Sequence, residues 1–180
     1  VVELDDVHPT PWRNGGGTTR VLLTWPHADE WRIRISVADI ERDGPFSRYP
    51  GGERWFAVLE GAGVHLQVGG GTQLLTPQSE PFRFAGHAEV ECGLLQGPTR
   101  DLNLMALPGA GRMVRVHDGY LGVVPARTLV AGYAPSGGTI AVYDEYVLDL
   151  APRTLVWRLV EQEGPVAMEG VDALLMEVRL

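Results

Sequence analysis

Apolar residues along this chain come in short runs punctuated by glycine and proline. No apolar face recurs at helical spacing for longer than about ten residues. The 23 glycines and 13 prolines put a breaker at one residue in five, a density that interrupts ordinary helices and suits strands joined by turns. The runs predict strands at Arg32–Ala38, Arg54–Glu60, Val64–Val68, Gln73–Thr76, Val90–Leu95, Leu102–Leu107 and Met113–His117. Further strands are expected at Leu121–Val124, Thr139–Tyr143, Tyr146–Leu150, Thr154–Val160, Pro165–Met168 and Ala173–Leu180. Gly69-Gly70-Gly71 and Gly137-Gly138 are hairpin turns by composition. The expected class is all-β with little helix, built as an antiparallel sandwich or barrel.

The breaker-rich link Leu107-Pro108-Gly109-Ala110-Gly111 suggests one compact unit with approximate halves 1–108 and 109–180, the first being the larger. Gly61-Ala62-Gly63-Val64 and Glu163-Gly164-Pro165-Val166 each open a strand, as two barrel-like halves would require. Ala131 to Gly138 reads as a second loose stretch.

At 180 residues and 44% hydrophobic, the chain can bury a sizeable core. A net charge of −8, with the 15 basic residues scattered, argues against a nucleic-acid partner. The lone Cys92 rules out a disulfide framework and fits a reducing cytoplasm. No apolar run reaches the roughly 20 residues of a membrane span, so no membrane partner is expected. Val1-Val2-Glu3-Leu4-Asp5-Asp6 has no basic region followed by an apolar stretch, so these residues are not expected to be a signal peptide.

The most distinctive segment is Pro11-Trp12-Arg13-Asn14-Gly15-Gly16-Gly17-Thr18-Thr19-Arg20. Its glycines allow backbone angles closed to other residues, so it is either a tight turn or a place where the chain closes on a small ligand. No lysine follows the glycines and no helix is expected to open after them, which argues against a phosphate loop. His8, His27, His65, His87 and His117 show no ligand spacing, so no metal is expected. Ser36 and Ser47 have no histidine nearby in sequence, and Cys92 lies in a strand-like run where cysteine behaves as a small hydrophobe.

Three segments carry candidate binding chemistry. In Trp31–Asp39 the two-residue period puts Ile33, Ile35 and Val37 on one face, and Arg32, Arg34, Ser36 and Ala38 on the other. That second face either meets water or lines a barrel mouth, where Arg34 would need a carboxylate. In Gly44–Trp55 two proline turns bracket Phe46 and Ser47, making either a stiff connection or a ligand lid with Arg54 as a second cation. In Gly97–Met105, Asp101, Asn103 and Met105 share a face that is either solvated or turned inward onto partners such as Arg34 or Arg54.

Taken together these segments resemble the HutD/Ves family. Its marks are a Pro-Trp-(Lys/Arg)-Asn-Gly-Gly-Gly start, an Arg-x-Ser-x-Ala strand, a Gly-Pro-Phe-Ser-x-(Phe/Tyr)-Pro-Gly loop and a Gly-Pro-x-x-Asp-Leu-Asn-Leu-Met strand. Here they read Pro11–Gly17, Arg34–Ala38, Gly44–Gly51 and Gly97–Met105. The arginine run common after the last strand is replaced by Ala106-Leu107-Pro108. The resemblance implies a cupin-like jelly-roll β-barrel with two cupin units in one chain. The usual cupin metal motif, Gly, five residues, then His-x-His, holds Pro50 and Gly52 at the histidine places when started from Gly44. The implied function is a metal-free, cofactor-free cytoplasmic protein that binds a small acidic metabolite and regulates or senses histidine utilisation. Urocanate and N-formylglutamate are the implied ligands, and a homodimer is left open. Arg34 and Arg54 would take the carboxylate, and Ser36, Ser47 and Asn103 would hydrogen-bond. Trp12 and Phe46 would form walls and Asn14 the rim. Asp101 would hold an arginine or accept a ligand N–H. The alternatives are a metal-independent cupin isomerase, lyase or hydrolase acting on a small carboxylic acid, and a structural module without an enclosed polar cavity.

Overall fold

A computed structural model describes residues 1–142 and 146–180. Apart from a 3-10 turn at Leu4–Asp6, all the regular structure among them is β. Residues 7–109 form one unit, and residues 1–6 with 110–180 form the other. The strands are β1 (Val2–Glu3), β2 (Thr10–Pro11), β3 (Gly17–Trp25), β4 (Ile33–Ile40), β5 (Gly44–Pro45), β6 (Glu53–Glu60), β7 (Val64–Val68), β8 (Gly71–Leu75), β9 (Phe82–Ala85), β10 (Val90–Leu94) and β11 (Thr99–Ala106). The second unit adds β12 (Gly111–Val116), β13 (Tyr120–Val124), β14 (Thr128–Ala134), β15 (Gly138–Val142), β16 (Tyr146–Leu150), β17 (Thr154–Val160), β18 (Gly164–Glu169) and β19 (Ala173–Arg179). The expected strand end at Tyr143 lies outside the described residues.

In the unit 7–109, a six-stranded antiparallel sheet of order β2-β3-β4-β11-β6-β9 faces a four-stranded sheet of order β5-β10-β7-β8. The core between them joins Ala38, Phe56, Val58 and Phe84 of the larger sheet to Val64, Leu66, Val90 and Cys92 of the smaller. The β-branched alternation of β4 buries Ile33, Ile35 and Val37 completely on the opposite face. Both faces of this strand are therefore covered, and the sandwich-edge reading of the segment, with one side in water, does not hold.

The other unit repeats the plan, with order β1-β17-β14-β19-β12 in one sheet and β13-β18-β15-β16 in the other. The expected halves placed the first six residues with the N-terminal unit. Instead Val2 and Glu3 pair with Leu155 and Thr154, and the Leu4 amide bonds the Arg153 carbonyl. Backbone pairing across a long sequence gap is invisible to local pattern.

Other elements also depart from the sequence reading: the two-residue strands β1, β2 and β5, and β3, β9 and β14, were not among the expected strands. β3 went unpredicted because its start is the glycine run and its pattern is interrupted by a register shift between Val21 and Leu23. The segment read as loose, Ala131 onward, begins inside the buried strand β14, which pairs with both β17 and β19. Its small residues are a packing requirement. A Cβ on Gly132 would stand 2.9 Å from Met168 Cε and 3.0 Å from Ile140 Cδ1. Gly132→Val is accordingly expected to cost about 1–3 kcal/mol of stability through overpacking, read as a lower urea midpoint. An unchanged midpoint would show that the facing sheet has slack at this point.

Candidate functional site

The glycine run shapes one wall of a cavity. The Trp12 amide bonds the Gly17 carbonyl, the Gly15 amide bonds the Trp12 carbonyl, and the Gly16 amide donates to Asn14 Oδ1 at 2.9 Å. Gly15 has φ 68°, which a side chain would strain. At Gly17 a Cβ would fall 2.2 Å from the Asp39 carbonyl oxygen, so β3 can approach β4 there only as glycine. These glycines build a turn and a close strand contact. Trp12 is fixed in turn, its Nε1 donating to Thr19 Oγ1 at 2.7 Å.

Register then collects the inward side chains. Met105, Asn103 and Asp101 of β11 lie opposite Arg34, Ser36 and Ala38 of β4. On the other side they lie opposite Arg54, Phe56 and Val58 of β6. Directly opposed residues share a face, so these three strands project one set of polar groups between the sheets. The result is a cavity of about 710 Å³ lined by Trp12, Asn14, Arg34, Ser36, Phe46, Ser47, Arg54 and Asn103, with Thr10, Pro11, Arg13, Thr19, Val21, Ala38, Pro45 and Met105. Eight of the nine residues singled out from the sequence meet here, and Asp101 does not line the cavity. Thr19 and Val21 went unnoticed because β3 was not predicted. Met105 shares the parity of Asn103 and could have been named on that ground.

The charges in this cavity are unbalanced. Arg54, 8% exposed, donates from Nε and Nη2 to the single acceptor Asn103 Oδ1 at 2.8 and 2.6 Å. Its guanidinium lies 4.4 Å from the centroid of Phe46 and 5.8 Å from that of Phe84. Burial, aided by Arg34 and opposed by Asp101, lowers its pKa to about 10, so it remains a cation at neutral pH. Burial also lowers the pKa of Arg34, whose Nε has no hydrogen-bond partner and whose guanidinium lies 5.7 Å from the Trp31 ring centroid. Neither arginine makes an ion pair among the described residues. A cation so placed calls for an anion.

Asp101 is placed otherwise than the sequence suggested. It is fully buried, accepts a 2.8 Å bond from Thr99 Oγ1 at Oδ2, and leaves Oδ1 unpartnered. Burial raises its pKa to about 8 against the pull of Thr99 and Arg54, so it is neutral at pH 7 and leaves the arginines uncompensated. Asn103, only 2% exposed, holds Arg54 in its stead. Burial likewise pushes the Cys92 thiol up to about 12, reinforced by Asp101 and Asp43, which removes it as a nucleophile. On the opposite strand face Asp39 is held below its usual range. Burial opposes this, and hydrogen bonds from Arg100 and Arg20 outweigh it.

The cavity's donors are guanidinium, amide and hydroxyl groups, which do not suit a metal cation. All five histidines are exposed, and no three His, Cys, Asp or Glu side chains cluster as a metal site among the described residues. A second, open groove of about 940 Å³ is rimmed by Gly69–Gly71 and by an exposed Arg48–Glu89 ion pair, with Glu91 on the same lining.

Two facing antiparallel sheets with a polar cavity between them define a cupin-like protein. A cupin barrel protein from Leptotrichia buccalis shares the fold at TM-score 0.57 and 10% identity, over 97% of this chain and 98% of that one. The chain belongs to the HutD family, whose model matches residues 4–143. HutD from Pseudomonas fluorescens SBW25, in a formate condition, superposes at TM-score 0.84 with 28% identity, covering 99% of this chain and 96% of that one. Protein Ves of Cronobacter sakazakii is 30% identical over 96% of this chain and all of its own. An uncharacterized 21.2 kDa protein in the hutC 3′ region of Pseudomonas putida is 36% identical over 60% of this chain. That match spans 58% of the relative's length.

The protonated state of Asp101 has a measurable signature. Its folded pKa of about 8 exceeds the ordinary 3.8, so between these values the native state keeps a proton that the unfolded chain has released. Stability from this group is fully present below the ordinary carboxylate value and is lost as pH rises through about 8. Asp101→Asn is expected to remove that loss, so that urea midpoints at about pH 5 and about pH 9 lie closer together than in the wild type. Equal falls in both proteins would mean that Asp101 is ionised in the folded state.

Proposed function

We propose that the unit 7–109 binds a small acidic metabolite, and that the protein acts as a metal-free, cofactor-free regulator or sensor of histidine utilisation. The observation that carries this reading is the pair of arginines, Arg34 and Arg54, on one cavity, neither with an ion-pair partner among the described residues. The ligand carboxylate supplies the missing charge. Ser36, Ser47 and Asn103 offer hydrogen bonds around it, while Trp12 and Phe46 flank the apolar part of the ligand. Membership of the HutD family, and the hutC 3′ location of the P. putida relative, support a ligand from the histidine pathway. Urocanate and N-formylglutamate both carry the required carboxylate. The composition, with one cysteine, supports a cytoplasmic setting.

Binding is favoured over catalysis by the same geometry. Asp101, whose pKa is raised to about 8, does not line the cavity, and the buried Cys92 thiol is held protonated. A general acid or base must stand within hydrogen-bond reach of the reacting atom.

Calorimetric titration tests the assignment. Wild type, Arg34→Lys and Arg34→Ala are titrated with urocanate, N-formylglutamate and formate. A charge-assisted bond is worth about 1.5–3 kcal/mol, so Arg34→Ala is expected to weaken the acidic ligand at least about tenfold. Arg34→Lys keeps the charge without the planar fork and is expected to bind more weakly than wild type. Equal affinities in all three proteins would remove Arg34 from the site.

A further inference from the structure

The strand β13 ends its sheet and leaves one side open. It pairs with β18 from Tyr120↔Met168 to Val124↔Gly164, and no other strand pairs with it among the described residues. The backbone groups of alternate residues therefore point away from β18 with no ladder partner. Sheet edges are ordinarily guarded by charge, proline or a bulge. Within Tyr120-Leu121-Gly122-Val123-Val124 β13 has none of these, being uncharged and in unbroken register with β18, and Pro125 follows only after its last paired residue. Leu121 is 80% exposed and Val123 64% exposed, although both stand on a regular strand. Leu121 opens an apolar row that continues across the sheet through Ala167 and Ala141 to Val147, itself 66% exposed. Tyr120 anchors the edge from the other face, its hydroxyl donating to Glu177 Oε1 at 3.1 Å.

We propose that β13 pairs antiparallel with β13 of a second copy of this chain, about a two-fold axis at Gly122, and joins the two small sheets into one. The segment is self-complementary in that register. Tyr120 lies opposite Val124 of the second copy and Leu121 opposite its Val123, so the exposed apolar residues meet directly across the new ladder. Gly122 faces itself. Antiparallel pairing also sets the end of one copy that precedes Tyr120 and carries Asp118 beside the end of the other that follows Val124 and carries Arg127, both residues lying in bends just outside the strand. Asp118 and Arg127 are exposed, and neither has an ion-pair partner among the described residues. Opposite charges thus flank an uncharged ladder in a chain whose net charge is −8 and which would otherwise repel its own copies.

The test is the mass in solution. At tens of micromolar, a usual range for association of this strength, sedimentation velocity is expected to give twice the chain mass for the wild type. Leu121→Lys combined with Val123→Lys is expected to give the single-chain mass with unchanged far-ultraviolet circular dichroism. Register is read separately with single cysteine variants. Under mild oxidation a mixture of Leu121→Cys and Val123→Cys chains is expected to cross-link, while each variant alone does not. Four results overturn the proposal: a wild type of single-chain mass, a lysine variant that keeps the doubled mass, a single cysteine variant that cross-links by itself as readily as the mixture does, or particles that grow with concentration.

Discussion

The register of β11 between β4 and β6 is the constraint on which the candidate site depends. A slip of one residue would turn Asn103 out of the cavity and bring Leu102 or Leu104 in. It would also part the Arg54 guanidinium from Asn103 Oδ1, the only side-chain acceptor that holds it among the described residues. The register is secured from the other face, where Ile35, Val37, Leu102 and Leu104 are buried completely. It is secured at one end by Asp39, which bonds Arg20 of β3 and Arg100 of β11. Apolar burial and a matched ion cluster thus fix the strands, and the unmatched charge is left to the cavity.

This division of labour explains the opposite fates of two aspartates one strand apart. Asp39 sits among arginines and partial solvent, so its charge is supported. Asp101 sits among apolar groups with one hydroxyl donor, so its proton is retained. Had Asp101 ionised and paired with Arg54, the cavity would hold one cation fewer and a weaker claim on an anion.

Much of this was legible in the sequence. Alternation grouped Arg34 with Ser36 and Asp101 with Asn103, while leaving open whether either face turned inward. The motifs over 11–17, 34–38, 44–51 and 97–105 supplied the order in which the pieces join. What alternation could not provide is depth along a strand. Asp101 and Asn103 share a face, yet one is walled off and the other lines the cavity, a difference set by Thr99 and by strands far away in sequence. The glycine-led β3 and the small-residue strand β14 were missed for a related reason. Their residues are dictated by what packs against them, the Asp39 carbonyl in one case and Met168 with Ile140 in the other.

The tie between Arg54 and Asn103 has a bearing on selectivity. Two bonds to one oxygen, with an aromatic ring against the guanidinium plane, remove most of the swing an arginine side chain ordinarily has. A cation that cannot follow its counter-ion works as a fixed gauge. Acids whose carboxylate falls short of it, or overshoots, cannot be met halfway, so the cavity would grade ligands by length before it graded them by charge.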